Sequence, residues 1–199
     1  MTDDPIQRNI DTLEHAVGRC LLKWANIEFH LSTIFRHTVG TDVITADLLW
    51  SRIRSFDAKL QMLNDILTYK LPNDEAKADW RRLKEYVTTL YKSRNRIAHS
   101  TLALKQGAHP RLIPFFVVSN ASEHGIGADE VAVITIEFIE AVPALIWLHD
   151  LSLGKLHQQS SEQTPDLIQR LRNVDDQKRS EQRLRDKALR QYRDQKTDP

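Results

Sequence analysis

Three stretches of this chain repeat apolar residues at spacings of three and four, and that period commits most of the sequence to amphipathic helices. The first stripe is Ile10, Leu13, Val17, Leu21, Trp24, Leu31 and Phe35, on a helix expected from about residue 8 to about residue 38 and closed by Gly40. The second is Leu49, Ile53, Phe56, Leu60, Leu63 and Leu67, which reads as one helix capped by Thr41 or Thr45 with Asp47 in an early turn. Leu71-Pro72-Asn73-Asp74 breaks the pattern. A third helix is then expected from about residue 74 to about residue 103, with the seam Leu83, Val87, Leu90, Arg94, Ile97, Thr101 and Leu104. A helix with one apolar stripe must bury it against another element, so the core is expected to be helix on helix.

The pattern changes after Lys105. Residues 106–110 read as a turn, and Leu112 to Val118 is short, β-branched and aromatic, as in a strand; Pro114 suggests a sheet edge. A polar loop follows over 120–127, and Val131 to Ile134 reads as a second strand, giving a hairpin at about 111–135. Thr135 is then expected to cap a fourth helix with Glu137 in its first turn and Phe138, Val142, Leu145, Ile146, Leu148 and Leu151 on its apolar side. Pro143 should kink that helix or mark its true start, and Gly154 lies near its end. Residues 158–164 are a polar linker. From Pro165 onward the chain is highly charged, compatible with an exposed helix, an assembly arm or disorder. The expected fold is mainly α: an up-and-down bundle of four to five helices with a small β-hairpin insertion and a charged C-terminal helix or tail. The helical domain covers 8–157 and the arm 158–199.

With 199 residues, 41% of them hydrophobic, the chain can fill one core. Its net charge of +1 gives no global basic signal, so any nucleic-acid binding must come from a local patch. Cys20 is the only cysteine, which excludes an internal disulfide; on the first helix it reads as a small core residue. The first residues are acidic and lack an apolar signal core, and no run is read as approaching a membrane span, so the expected location is cytoplasmic, with no membrane partner. Seven further histidines are scattered: His149-Asp150 has no spaced second pair to complete a metal site, and His30 and His37 share a helix face that reads as surface. No glycine-rich phosphate loop occurs. Neither a metal nor another cofactor is expected.

The chemistry concentrates in Arg94-Asn95-Arg96-Ile97-Ala98-His99. A guanidinium grips phosphate in two prongs, and an imidazole titrates near neutrality and moves protons. Asn95 and His99, four apart, share a helix face, and Arg96 neighbours His99. Arg94 and His99 are five apart, about 140° around the axis, so one helix does not set those two side chains together. Two copies about a two-fold axis could. Arg94 also sits where its seam calls for an apolar residue, and a guanidinium there needs an acid, a phosphate or carbonyls. Glu28, on the first apolar stripe between Trp24 and Leu31, is the candidate acid unless it rotates to the edge. Lys92, Arg96 and Ser100 flank the motif as candidate substrate-binding residues, though Ser100 equally suits local backbone bonding. Tyr91 could stack on a base but better suits a helix interface.

An Arg-Asn pair followed after three residues by His, near the end of a helix in an all-helical domain, resembles the HEPN superfamily, the higher eukaryote and prokaryote nucleotide-binding domains. Arg94, Asn95 and His99 match the motif position by position. Trp24, Ile27, Glu28, Leu31 and Phe35, and then Phe56, Lys59, Leu60 and Leu63, are similar to the preceding helices of such domains. The resemblance implies a metal-independent endoribonuclease of the toxin–antitoxin or phage-defence kind, a homodimer with a composite active site, and an antitoxin or regulatory protein as a possible partner. In that reading Arg94 holds the scissile phosphate. His99 is the base on the 2′-hydroxyl or the acid on the leaving 5′-oxygen, and Asn95 orients His99 or donates to phosphate. RNA would be cut to 2′,3′-cyclic phosphate ends. Other members of the superfamily are non-catalytic dimerisation or binding modules, and that alternative stays open at this point.

Overall fold

The computed structural model describes residues 5–106, 112–118, 125–154 and 164–178. The expected turn at 107–110, most of the loop at 120–127, the linker over 158–163 and the arm beyond 178 lie outside the described residues. The protein is mainly α-helical with one two-stranded antiparallel sheet. Helix α1 spans Pro5–Thr38, α2 Val43–Arg52, α3 Phe56–Lys70 and α4 Asp74–Ala98. Strands β1 (Ser100–Gln106) and β2 (Leu112–Val118) follow, then α5 (Ala128–Ser152) and a docked helix α6 over 166–178.

The core forms where the apolar stripes meet. Trp24 of α1 lies at its centre, with ring centroids 5.1 Å from Phe56 of α3, 5.8 Å from Tyr91 of α4 and 5.4 Å from Phe138 of α5. One bulky ring thus joins four helices, and each aromatic contact adds to its area burial. Helices α1 and α5 make the most extensive pairing. They run in the same direction: Thr12, Ala16 and Arg19 share a groove with Ala128, Ala132 and Ile139, and farther along His37 meets His149. Helix α4 runs against both, so its C-terminal end lies beside the start of α5.

Several local expectations are corrected. The seam from Leu49 to Leu67 is two helices, not one. Ile53 and Ser55 are extended, and the Ser55 hydroxyl accepts the Ala58 N–H at 3.4 Å to start α3. Helix α2 is capped by Asp42, which accepts the Thr45 N–H at 3.0 Å, rather than by Thr41 or Thr45. Helix α4 ends at Ala98 instead of about residue 103, because Ser100–Gln106 pairs with Leu112–Val118 as the sheet. The paired strands are therefore 100–106 and 112–118, and not a hairpin at about 111–135. Val131 to Ile134 is helical: Asp129 and Glu130 sit in the first turn of α5, and Val131, Ile134, Thr135 and Phe138 are buried at helical spacing. Thr135 is not a cap; its hydroxyl donates back to the Val131 carbonyl at 2.7 Å inside the helix. Pro143 lies within α5 rather than at its start, and Gly154 takes the positive φ of 67° that ends the helix.

Contrary to the sequence expectation, one segment does reach the length and apolarity of a membrane span. It is α5, whose most apolar window has a mean hydropathy of 2.0. Much of that apolarity is used against α1 and α4, where nine of its residues are buried. Exposed apolar side chains remain at Val133, Ile136, Ile139 and Ile146 of α5 and at Leu22 and Phe29 of α1, and Ile136 and Ile139 line a groove between the two helices. Cys20 is buried beside Thr135, and burial pushes its thiol pKa up, as for an inert core thiol.

Helix α6 is held by a buried charge cluster. Asp79 of α4 is fully buried; Arg82 reaches it at 2.9 Å, and Arg172 of α6 grips both of its oxygens. Arg172 also pairs with Glu75 at 2.9 Å, and Arg82 with Asp175 at 2.7 Å. The hydrogen bonds that Arg172 donates to Asp79 raise its pKa further. Leu167 and Ile168 of the same helix are buried in the core. The segment over 166–178 is thus part of the folded domain.

Candidate functional site

The motif closes α4. Asn73 caps the other end of that helix, accepting the Ala76 N–H at 3.0 Å, and Leu83, Val87, Leu90 and Ile97 bury its seam. Helix geometry then decides where each motif side chain emerges.

Arg94 is half-buried, and its Nε is buried with no hydrogen-bond partner among the described residues. Its Nη1 donates to Asn95 Oδ1 at 3.1 Å. Glu28 is half-buried too, but no ion pair joins it to Arg94 or gives Arg94 any other carboxylate among the described residues. The expected acid partner is therefore not the answer to the charge on the seam. The long side chain instead bends toward Asn95, which lies on the His99 side of the helix, and this offsets part of the 140° separation. A guanidinium that is partly desolvated and has no carboxylate presents its charge to an incoming anion.

His99 is the residue that ends α4, with φ −107° and ψ 11°, and it is exposed. Its backbone N–H donates to the Asn95 carbonyl at 3.0 Å. Its imidazole makes no hydrogen bond among the described residues, so the ring is not used up in closing the helix and is open for proton transfer. No hydrogen bond joins Asn95 to the His99 ring or Arg94 to His99 among the described residues; the amide is engaged with Arg94 instead.

The flanking residues divide. Lys92 is exposed and free of ion pairs among the described residues. Ser100 turns its hydroxyl onto the Arg96 carbonyl, the local backbone role. Arg96 is neither free nor simply solvated: its Nη2 lies 3.2 Å from Glu130 Oε1, in the first turn of α5. Tyr91 stacks on Phe56 at 4.3 Å, the interface role rather than a base platform.

Three long-range groupings escaped the sequence reading. His37 Nδ1 and His149 Nε2 lie 2.8 Å apart across α1 and α5, joining two histidines taken as unrelated. Among the described residues no group of three or more His, Cys, Asp or Glu is arranged to hold a metal. The buried Asp79 was legible in principle, since it interrupts the apolar run Ala76, Trp80, Leu83 as Arg94 does farther along. The Arg96–Glu130 pair had no sequence signal. Comparison with protein-family models, curated proteins and solved structures finds no match to the chain.

Proposed function

We propose that this chain is a HEPN-like helical domain that binds RNA at the C-terminal end of α4. Its activity, in this reading, is metal-independent endonucleolytic cleavage, of the kind that serves a toxin or phage-defence effector. The observation that carries the reading is the state of Arg94: half-buried, without a carboxylate among the described residues, and drawn onto Asn95, four residues before the open imidazole of His99. A phosphate supplies what that guanidinium lacks. Arg94 binds the scissile phosphate and stabilises charge growing on it. His99 takes the proton of the 2′-hydroxyl or gives one to the leaving 5′-oxygen. Asn95 holds Arg94 in place and reaches a phosphate oxygen. The attacking 2′-oxygen displaces the 5′-oxygen, leaving a 2′,3′-cyclic phosphate and a 5′-hydroxyl. A second copy completes the cleft, and the open apolar face of α1 and α5 is of the kind that a partner subunit covers.

The same face favours the second reading, a binding module in which the motif is structural. The two readings separate on substrate chemistry. A single 2′-deoxy substitution at a mapped cleavage position should abolish cutting there, and cut RNA should carry cyclic-phosphate ends. Cleavage that ignores the 2′-hydroxyl would refute the mechanism, and intact RNA with a folded protein would leave the binding module as the function.

A further inference from the structure

We infer that Glu130 is a restraint on the RNA site: it holds Arg96 in an ion pair that an incoming phosphate must displace. The inference rests on the RNA reading above and adds a regulatory residue to it. Arg96 is three positions before His99, so its guanidinium belongs to the surface that an RNA backbone would cross. In the free protein that guanidinium is tied to Glu130, from an element 34 residues away in sequence. The pair has one contact of 3.2 Å, not a two-pronged grip, and its side chains are 47% and 44% exposed. Such a pair is weak and exchangeable, whereas a phosphate with two negative oxygens can take a guanidinium in bidentate form.

Glu130 also has somewhere to go. Gly127 is the N-cap of α5, which makes Glu130 the third helical position. From that position a glutamate can reach back to the backbone N–H of the cap residue, and its charge favours the positive end of the helix. The carboxylate therefore has two local resting places, one on Arg96 and one on its own helix start. Phosphate binding to Arg96 selects the second. Until then the carboxylate cancels one of the few cations beside the motif, in a chain whose net charge of +1 gives no global attraction for RNA.

The test measures binding of a short, unstructured, fluorescent RNA by anisotropy, with every protein carrying His99→Ala to stop turnover. Glu130→Gln should tighten binding about two- to fivefold, the range an exposed ion pair supplies. Asp129→Asn removes the same charge from the adjacent residue without touching Arg96 and should change binding by less. Adding Arg96→Ala to Glu130→Gln should erase the gain. Equal gains from Glu130→Gln and Asp129→Asn would mean general repulsion and overturn the inference. So would RNA binding that Glu130→Gln leaves unmoved, with the RNA reading intact. Absence of RNA binding in every variant would overturn the RNA reading and this inference with it.

Discussion

Replacing Arg172 with methionine should loosen the domain far more than an ordinary surface arginine would. Asp79 is fully buried, and Arg172 is one of its two cations; the other, Arg82, remains at 2.9 Å. Breaking a buried pair by removing one partner costs about 3–5 kcal/mol, since the remaining charge is left desolvated. Retention of Arg82 and the 26% exposure of Arg172 reduce that to about 2–3 kcal/mol. The lost contact to Glu75, whose side chain is 61% exposed, adds little. For a domain of this size the melting temperature should fall by about 4–12 °C. Methionine keeps the apolar stem, so the change reports charge rather than packing. The control is Arg170→Met, which breaks the Glu140 pair with side chains 57% and 40% exposed and should cost about 1 kcal/mol or less. Urea and thermal unfolding followed by far-UV circular dichroism would measure both. Adding Asp79→Leu to Arg172→Met should recover part of the loss, because the orphaned carboxylate is gone. Equal stability of the Arg172→Met and Arg170→Met variants would refute the claim that α6 is latched through a buried charge.

Two further outcomes follow from the same structure. Burial lowers the pKa of His30 from its ordinary 6.5, so the folded state resists a proton that the unfolded chain accepts. Its contribution to stability is complete above pH 6.5 and is lost as pH falls from there through the folded value; His30→Gln should flatten that part of a stability–pH profile. Ile139→Asp places a charge on the open α1–α5 face, where Ile139 is 46% exposed in the single chain, and should weaken self-association at least about tenfold in sedimentation or light scattering while the fold survives. An unchanged dimer would put the interface elsewhere, and a wild-type monomer at every concentration would remove the composite site.

Much of the architecture was legible as period. The stripes of α1 and α4 are long, and their buried residues fall on them, Trp24, Leu31 and Phe35 on one and Leu83, Val87 and Leu90 on the other. The break between α2 and α3 was not legible, because the spacing from Leu49 to Phe56 to Leu60 runs unbroken across it; the extended Ile53 ends α2, and the side chain of Ser55, capping Ala58, starts α3. Val131 to Ile134 is short, β-branched and apolar, a composition that fits a strand or a buried helix turn, and its burial against the core decides for helix. Thr101 and Leu104 continue the α4 seam in period, yet pairing with β2 draws them into a strand. At the site, Arg94, Asn95 and His99 are local and could be read together. The answers to their charges could not: Glu28 was chosen for Arg94 from its place on a stripe, while the structure assigns Arg94 to Asn95 and brings Glu130 to Arg96 from a distant helix.

The most direct test of the central claim is cleavage of RNA by the purified protein in EDTA, beside folded Arg94→Ala and His99→Ala variants. The account predicts cutting by the wild type, cyclic-phosphate ends, and loss of cutting in both variants, with RNA binding weakened more by Arg94→Ala than by His99→Ala. Cutting that persists in His99→Ala would contradict it, since no proton would then pass through the imidazole that ends α4.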